Sequence, residues 1–124
     1  MYVAGREHPH REPARRFLER VKAGKVEGCT STEVLQEILY RYTALGKPDL
    51  ARDVYTLFVD LCPVVFSVDL ADTDLACDLL SEVADISVRD ALHTAVMRNH
   101  DVESIATFDG DFDRIPGIRR LRLA

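Results

Sequence analysis

The chain switches repeatedly between helical and strand-like apolar spacing, and that alternation restricts its fold more than any other feature. Helical spacing runs over residues 12–24, with Pro13 suited to a first turn and Gly24 to a stop. It returns over 32–45, where Val34, Leu35, Ile38, Leu39, Tyr42 and Leu45 share one face before Gly46-Lys47-Pro48 ends it. A third helix is predicted over 49–61 from Leu50, Val54, Leu57, Phe58 and Leu61, and two more over 71–83 and 88–99. Short segments at 28–30, 64–68, 104–107 and 119–123 lie between or after them. Residues 64–68, after Pro63, form the continuous apolar run of a buried parallel strand, while 119–123 alternates as an edge strand does. Strands separated by helices predict an α/β fold whose parallel sheet is covered on both faces.

At 124 residues the chain is read as one domain over 1–124, long enough to bury a single core. Charged residues at 30% beside 47% hydrophobic ones belong to a globular rather than a disordered protein. No apolar stretch approaches the ~20 residues that span a bilayer, and no leader-like apolar region opens the sequence. A cytoplasmic protein without membrane contact is expected. Cys29, Cys62 and Cys77 are odd in number and lack metal-type spacing, so free thiols in a reducing compartment are expected. The net charge of −5 argues against broad adhesion to nucleic acid, yet leaves it open as a substrate reached through metal ions and grouped basic residues.

Acidic residues gather at three junctions: Glu37, Asp90, and the run Asp109-Gly-Asp-Phe-Asp113. Asp109 and Asp111 follow the 104–107 strand, the end at which parallel sheets bind ligands. Hard divalent cations take oxygen donors and often need few carboxylates. Each position also has a plainer reading. Asp-Gly and Asp-x-Asp are ordinary turn chemistry. A calcium loop is excluded, because Arg114 and Arg120 stand where its Gly and Glu are required. Thr30-Ser31-Thr32-Glu33 has the form of a capping box, which gives Glu33 a structural task and leaves Glu37, one turn on, without one. Ser87-Val88-Arg89-Asp90 is a second possible box, with His93 one turn later a weak candidate for a base. His8-Pro-His10 has no further ligand near it.

Taken in order, these segments resemble the motifs of PIN-domain nucleases. Ser31 to Glu37 matches a Ser/Thr followed six positions later by an acidic helix residue. The segment from Ser87 to Ala95 is similar to the third motif, with Asp90 its carboxylate, and Thr107-Phe108-Asp109-Gly110-Asp111-Phe112 to the last. The likeness runs from about residue 2 to the end, and lies nearest the small toxins of VapBC-type toxin–antitoxin pairs. It implies a three-layer α/β/α fold and an endoribonuclease that hydrolyses RNA phosphodiester bonds. One or two Mg²⁺ or Mn²⁺ ions, held by carboxylates, would generate hydroxide from water and neutralise transition-state charge. Glu37, Asp90 and Asp109 are the implied catalytic metal ligands, Asp111 a further ligand, and Thr107 a supporting residue. Arg6, Arg11 and Arg114 are candidates for holding phosphate. A cognate antitoxin and a homodimer are the implied protein partners.

The resemblance departs at the start. Related domains open with a buried strand ending in Asp-Thr-Asn or Asp-Ser-Asn, whereas this sequence begins Met1-Tyr2-Val3-Ala4-Gly5. The expectation is therefore a domain incomplete at its N-terminus, lacking the central strand and first carboxylate. The alternative function is a catalytically impaired remnant that binds an antitoxin or a second copy, with helices 32–45 and 49–61 as partner faces.

Overall fold

The structure, a computed structural model, describes residues 11–107 and 109–121. These divide into two compact units, one ending at Ser67 and one beginning at Val68. Arg6, His8 and His10, and with them the start at which the expected departure from related domains lies, fall outside the described residues.

The first unit contains α1 (Arg11–Lys22), β1 (Cys29–Ser31), α2 (Thr32–Ala44), α3 (Pro48–Leu61) and β2 (Val64–Phe66). The Ser31 hydroxyl caps α2 by accepting the Val34 N–H at 3.3 Å. The cap therefore lies one residue later than the expected box would place it. Glu33 stands two positions after the cap rather than three, so it is not the reciprocal partner of a capping box. Both α1 and α2 end in the same wrap. At α2 the Lys47 N–H donates to Tyr42 O and the Gly46 N–H to Thr43 O, each at 2.9 Å, with Gly46 at φ +75°. Leu35, Ile38 and Tyr42 of α2 bury against Ala51 and Val54 of α3, with Val65 of β2 packed on the cluster. Leu39 and Leu45, expected on that face, are 43% and 63% exposed. The apolar stripe is wider than the surface α3 covers. Parallel pairing sets Cys29 opposite Val64 and Ser31 opposite Phe66.

In the second unit come α4 (Leu70–Glu82), α5 (Val88–Asn99), β3 (Ser104–Ala106), a 3₁₀ helix (Gly110–Arg114) and β4 (Arg119–Leu121). Asp69 and Asp72 cap α4 reciprocally: the Asp72 N–H donates to Asp69 Oδ1 at 3.3 Å and the Asp69 N–H to Asp72 Oδ2 at 3.0 Å. Ala76 and Leu79 of α4 pack on Ala91 and Ala95 of α5, both fully buried, so small side chains let the two helices approach closely. β3 and β4 pair in parallel, with Ser104 opposite Arg119. Among the described residues the strands thus form two parallel pairs, β1–β2 and β3–β4. The α/β class and parallel pairing agree with the sequence. No helix among the described residues is long and apolar enough to cross a membrane.

Candidate active site

In the second unit, α5 and the turn after β3 bring three carboxylates together. Ser87 caps α5, its hydroxyl accepting the Asp90 N–H at 3.0 Å, which places Asp90 in the first helical turn. Ile86, just before that cap, packs into the cluster containing Ala91 and fixes the angle at which the chain enters α5. Beyond β3, the Thr107 hydroxyl accepts the Asp109 N–H at 3.1 Å, and Asp109 Oδ1 accepts the Asp111 N–H at 2.9 Å. The run whose plainer reading is an ordinary turn forms a short 3₁₀ helix, Gly110–Arg114, that Asp109 caps. Buried Phe112 and Ile115 anchor it, 3% exposed each.

One carboxylate oxygen from each of Asp90, Asp109 and Asp111 lies within 4.8 Å of the others. Oxygen donors sit ~2.0–2.6 Å from a hard divalent cation, so donors around one ion are separated by up to roughly 4–5 Å. The trio fits that limit. Its electrostatics fit as well. Burial pushes the Asp90 carboxyl above its ordinary value, and the charges of Asp109 and Asp111 add to the effect, against the Ser87 hydroxyl and His93. Three crowded acids held without an intervening cation repel one another, which is the condition a divalent ion relieves.

The remaining acid of the run has a different partner. Arg120 of β4 grips Asp113 with two bonds of 3.0 Å, from Nε to Oδ1 and from Nη2 to Oδ2. That grip holds the Asp113 carboxyl below its usual range. Arg114 reaches Asp111 at 3.3 Å and, with Asp90, Asp111, Val83, Ile86 and Ile115, lines a shallow recess beside the trio. The apolar wall from Val83, Ile86 and Ile115 was not singled out from sequence, although an apolar residue just before a Ser cap is a readable signal for Ile86.

Of the residues expected in the site, Asp90, Asp109 and Asp111 are brought together, and Thr107 touches the Asp109 backbone. Glu37 is a half-buried residue of α2, in the other unit. His93 lies close enough to Asp90 to favour its charged form. Arg6 and the Arg11 side chain are outside what is described.

Comparison with known proteins gives consistent matches. The PIN domain family model matches residues 1–118. "VapC ribonuclease Mb1869c" of Mycobacterium bovis is 38% identical over 121 residues, covering 98% of this chain and 92% of the relative. "Ribonuclease VapC13" of Mycobacterium tuberculosis gives the same figures. "Ribonuclease VapC23" of M. tuberculosis is 36% identical over 109 residues, 88% of this chain and 86% of the relative. No solved structure matches the chain at a significant level.

Proposed function

We infer, from the premise that this chain belongs to the PIN-domain family, that it is a metal-dependent endoribonuclease and the toxin of a toxin–antitoxin pair. The observation that carries the reading is the Asp90–Asp109–Asp111 trio, whose oxygens lie within one ion's reach at the end of β3. Its relatives bear ribonuclease names over nearly the whole chain. RNA is the substrate, and a cognate antitoxin and a second copy of the chain are the protein partners.

Asp90, Asp109 and Asp111 are the residues that would hold Mg²⁺ or Mn²⁺. Such an ion supplies an activated water at neutral pH and positive charge for the phosphoryl oxygens. The protein's own residues set the stage. The α5 cap fixes Asp90, while the Thr107 hydroxyl and the Asp109–Asp111 bond fix the turn, so the carboxylates are oriented before anything binds. Val83, Ile86 and Ile115 line the recess beside Asp90, whose partial burial raises the energy of its charged form and so favours a cation next to it. Arg114, at the rim, is placed to exchange its contact with Asp111 for one with a phosphate oxygen. Glu37 joins this chemistry on its motif, six residues after Ser31.

The test is cleavage of a labelled RNA with and without Mg²⁺. Cleavage should require the ion, fall to background in Asp90→Asn and Asp109→Asn, and fall in Glu37→Gln. Cleavage that persists in chelator, or that Asp90→Asn leaves intact, would refute the reading. RNA-silent protein that still binds its antitoxin would instead favour the partner-binding remnant.

A further inference from the structure

We propose that α1 is an RNA-backbone-binding surface, using Arg16 and Arg20 as its centre; the proposal rests on RNA being the substrate. Charge in this chain is unevenly distributed. Residues 11–25 carry six basic and two acidic side chains, while the remainder carries ten basic and nineteen acidic ones. A net −5 protein thus concentrates cations on one helix, which holds five of the six, and on the turn that follows it.

The structure shows how those charges are disposed. Both acids of α1 are engaged by a single cation: Arg15 lies 3.8 Å from Glu12 and 3.7 Å from Glu19. Arg16, Arg20, Lys22 and Lys25 are exposed and make no ion pair among the described residues. Arg16 and Arg20 are one turn apart, so their side chains are neighbours, ~5–6 Å apart at Cβ. Like charges at that spacing weaken a helix. A second row of carboxylates would relieve them, and the helix does not provide one. A polyanion would. Repeated phosphates satisfy several closely spaced cations at once and release their own counterions in doing so.

The cationic face is also held in a fixed direction. Phe17, Leu18 and Val21 are half-buried on the opposite side of α1. A Cβ placed on Gly28 would meet Val21 Cγ1 at 2.9 Å, so Val21 is seated directly over the chain entering β1. With its apolar side so fixed, α1 presents Arg16 and Arg20 to solvent as a fixed pair. Phosphate contacts of this kind position a strand without reading its sequence. The ligand class implied is single-stranded RNA, held through its phosphates whatever its sequence.

The experiment measures affinity of the full chain for a labelled mixed-sequence single-stranded RNA by fluorescence anisotropy, in chelator, across a salt series. Arg16→Ala/Arg20→Ala should weaken binding about 10-fold or more at low salt. It should also flatten the slope of log affinity against log salt by about 1.4, since each single-strand phosphate contact contributes about 0.7. Arg16→Lys/Arg20→Lys should keep the slope, and circular dichroism should show both variants folded. Asp90→Asn should abolish cleavage while leaving the salt slope intact, which separates this proposal from the nuclease assignment. An alanine pair with unchanged affinity and slope, or a parent chain that binds RNA without salt dependence, would overturn the proposal. So would an acidic peptide that binds α1 in preference to RNA.

Discussion

Asn99, the last residue of α5, donates its side-chain N–H to Oδ1 of Asp72, near the start of α4, at 2.8 Å. Asp72 is 1% exposed and also receives the Asp69 N–H. Burial pushes this carboxyl up, but the Asn99 amide, the Asp69 backbone N–H and the charge of His100 outweigh it and hold it below the ordinary range. Asp72→Ala leaves two donors without their acceptor and should cost about 1–3 kcal/mol. Because the folded carboxyl titrates below the unfolded one, its contribution is complete above ~pH 4 and is lost as pH falls through the lower folded value. Urea titrations of the two proteins should therefore differ most at neutral pH and converge in acid. Parallel curves across that range would show that the carboxyl's charge plays no part.

Asp90 has the opposite sign. Its folded carboxyl is raised, first by burial and then by Asp109 and Asp111, so ionising it costs stability that is forfeited as pH rises through that raised value. Asp90→Asn should stabilise the metal-free protein at neutral pH, with the gain vanishing at pH below ~4. Added Mg²⁺ should reverse the order: a ligand at 100 times its Kd stabilises by ~2.7 kcal/mol, and only the parent should respond. Thermal melts with and without Mg²⁺ read this directly. A parent chain indifferent to the ion would count against the trio as its ligand set.

Asp101 follows the α5 cap at φ +56°, the position Gly24 and Gly46 occupy after α1 and α2. The Val102 N–H donates to Met97 O at 2.8 Å and closes the same wrap. An Asp there bears the left-handed backbone penalty and places negative charge at the negative end of a helix. Asp101→Gly should add about 0.5–1 kcal/mol and raise Tm by a few degrees. A lowered Tm would mean that the Asp side chain offsets both costs.

Ile38 and Leu39 are adjacent on α2 with opposite surroundings, one fully buried and the other 43% exposed. Ile38→Ala should cost about 2–5 kcal/mol, Leu39→Ala about 0.5 or less. Equal costs in urea unfolding would mean that a partner or neighbour covers Leu39 in solution.

Adjacent residues like these mark the limit of what local sequence carries. Helical spacing placed α2, α3 and α5, and the glycines at 24 and 46 ended two helices, because both signals are local. Spacing could not say how much of the α2 stripe α3 would cover, so Leu39 and Leu45 were expected inside. Thr30, Ser31 and Thr32 are all good caps, and only the backbone turn selects Ser31. The Asp69–Asp72 box lacks the usual signature, since the reciprocal residue is commonly Glu or Gln. Its tie to Asn99 spans 27 residues and carries no local signature. For the site, the acidic residues were visible as a list. Which carboxylates share one volume depends on where the α5 start and the β3 turn meet, as does the removal of Asp113 by Arg120.

The helix pairs and the strand pairs differ in how much chain separates their members. Only residues 45–47 separate α2 from α3, and residues 83–87 separate α4 from α5, whereas Cys29 must find Val64 and Ser104 must find Arg119. Contacts across short loops form early, on microsecond scales, and those that close longer loops wait for the entropy to be met. Asp90 belongs to an early hairpin. Asp109 and Asp111 lie inside the segment that β3 and β4 must close. The trio therefore depends on two separate closures, the turn between α4 and α5 and the pairing of β3 with β4. A chain emerging from synthesis could therefore hold both helical hairpins while its three carboxylates are still scattered, because they share one volume only once β3 has met β4.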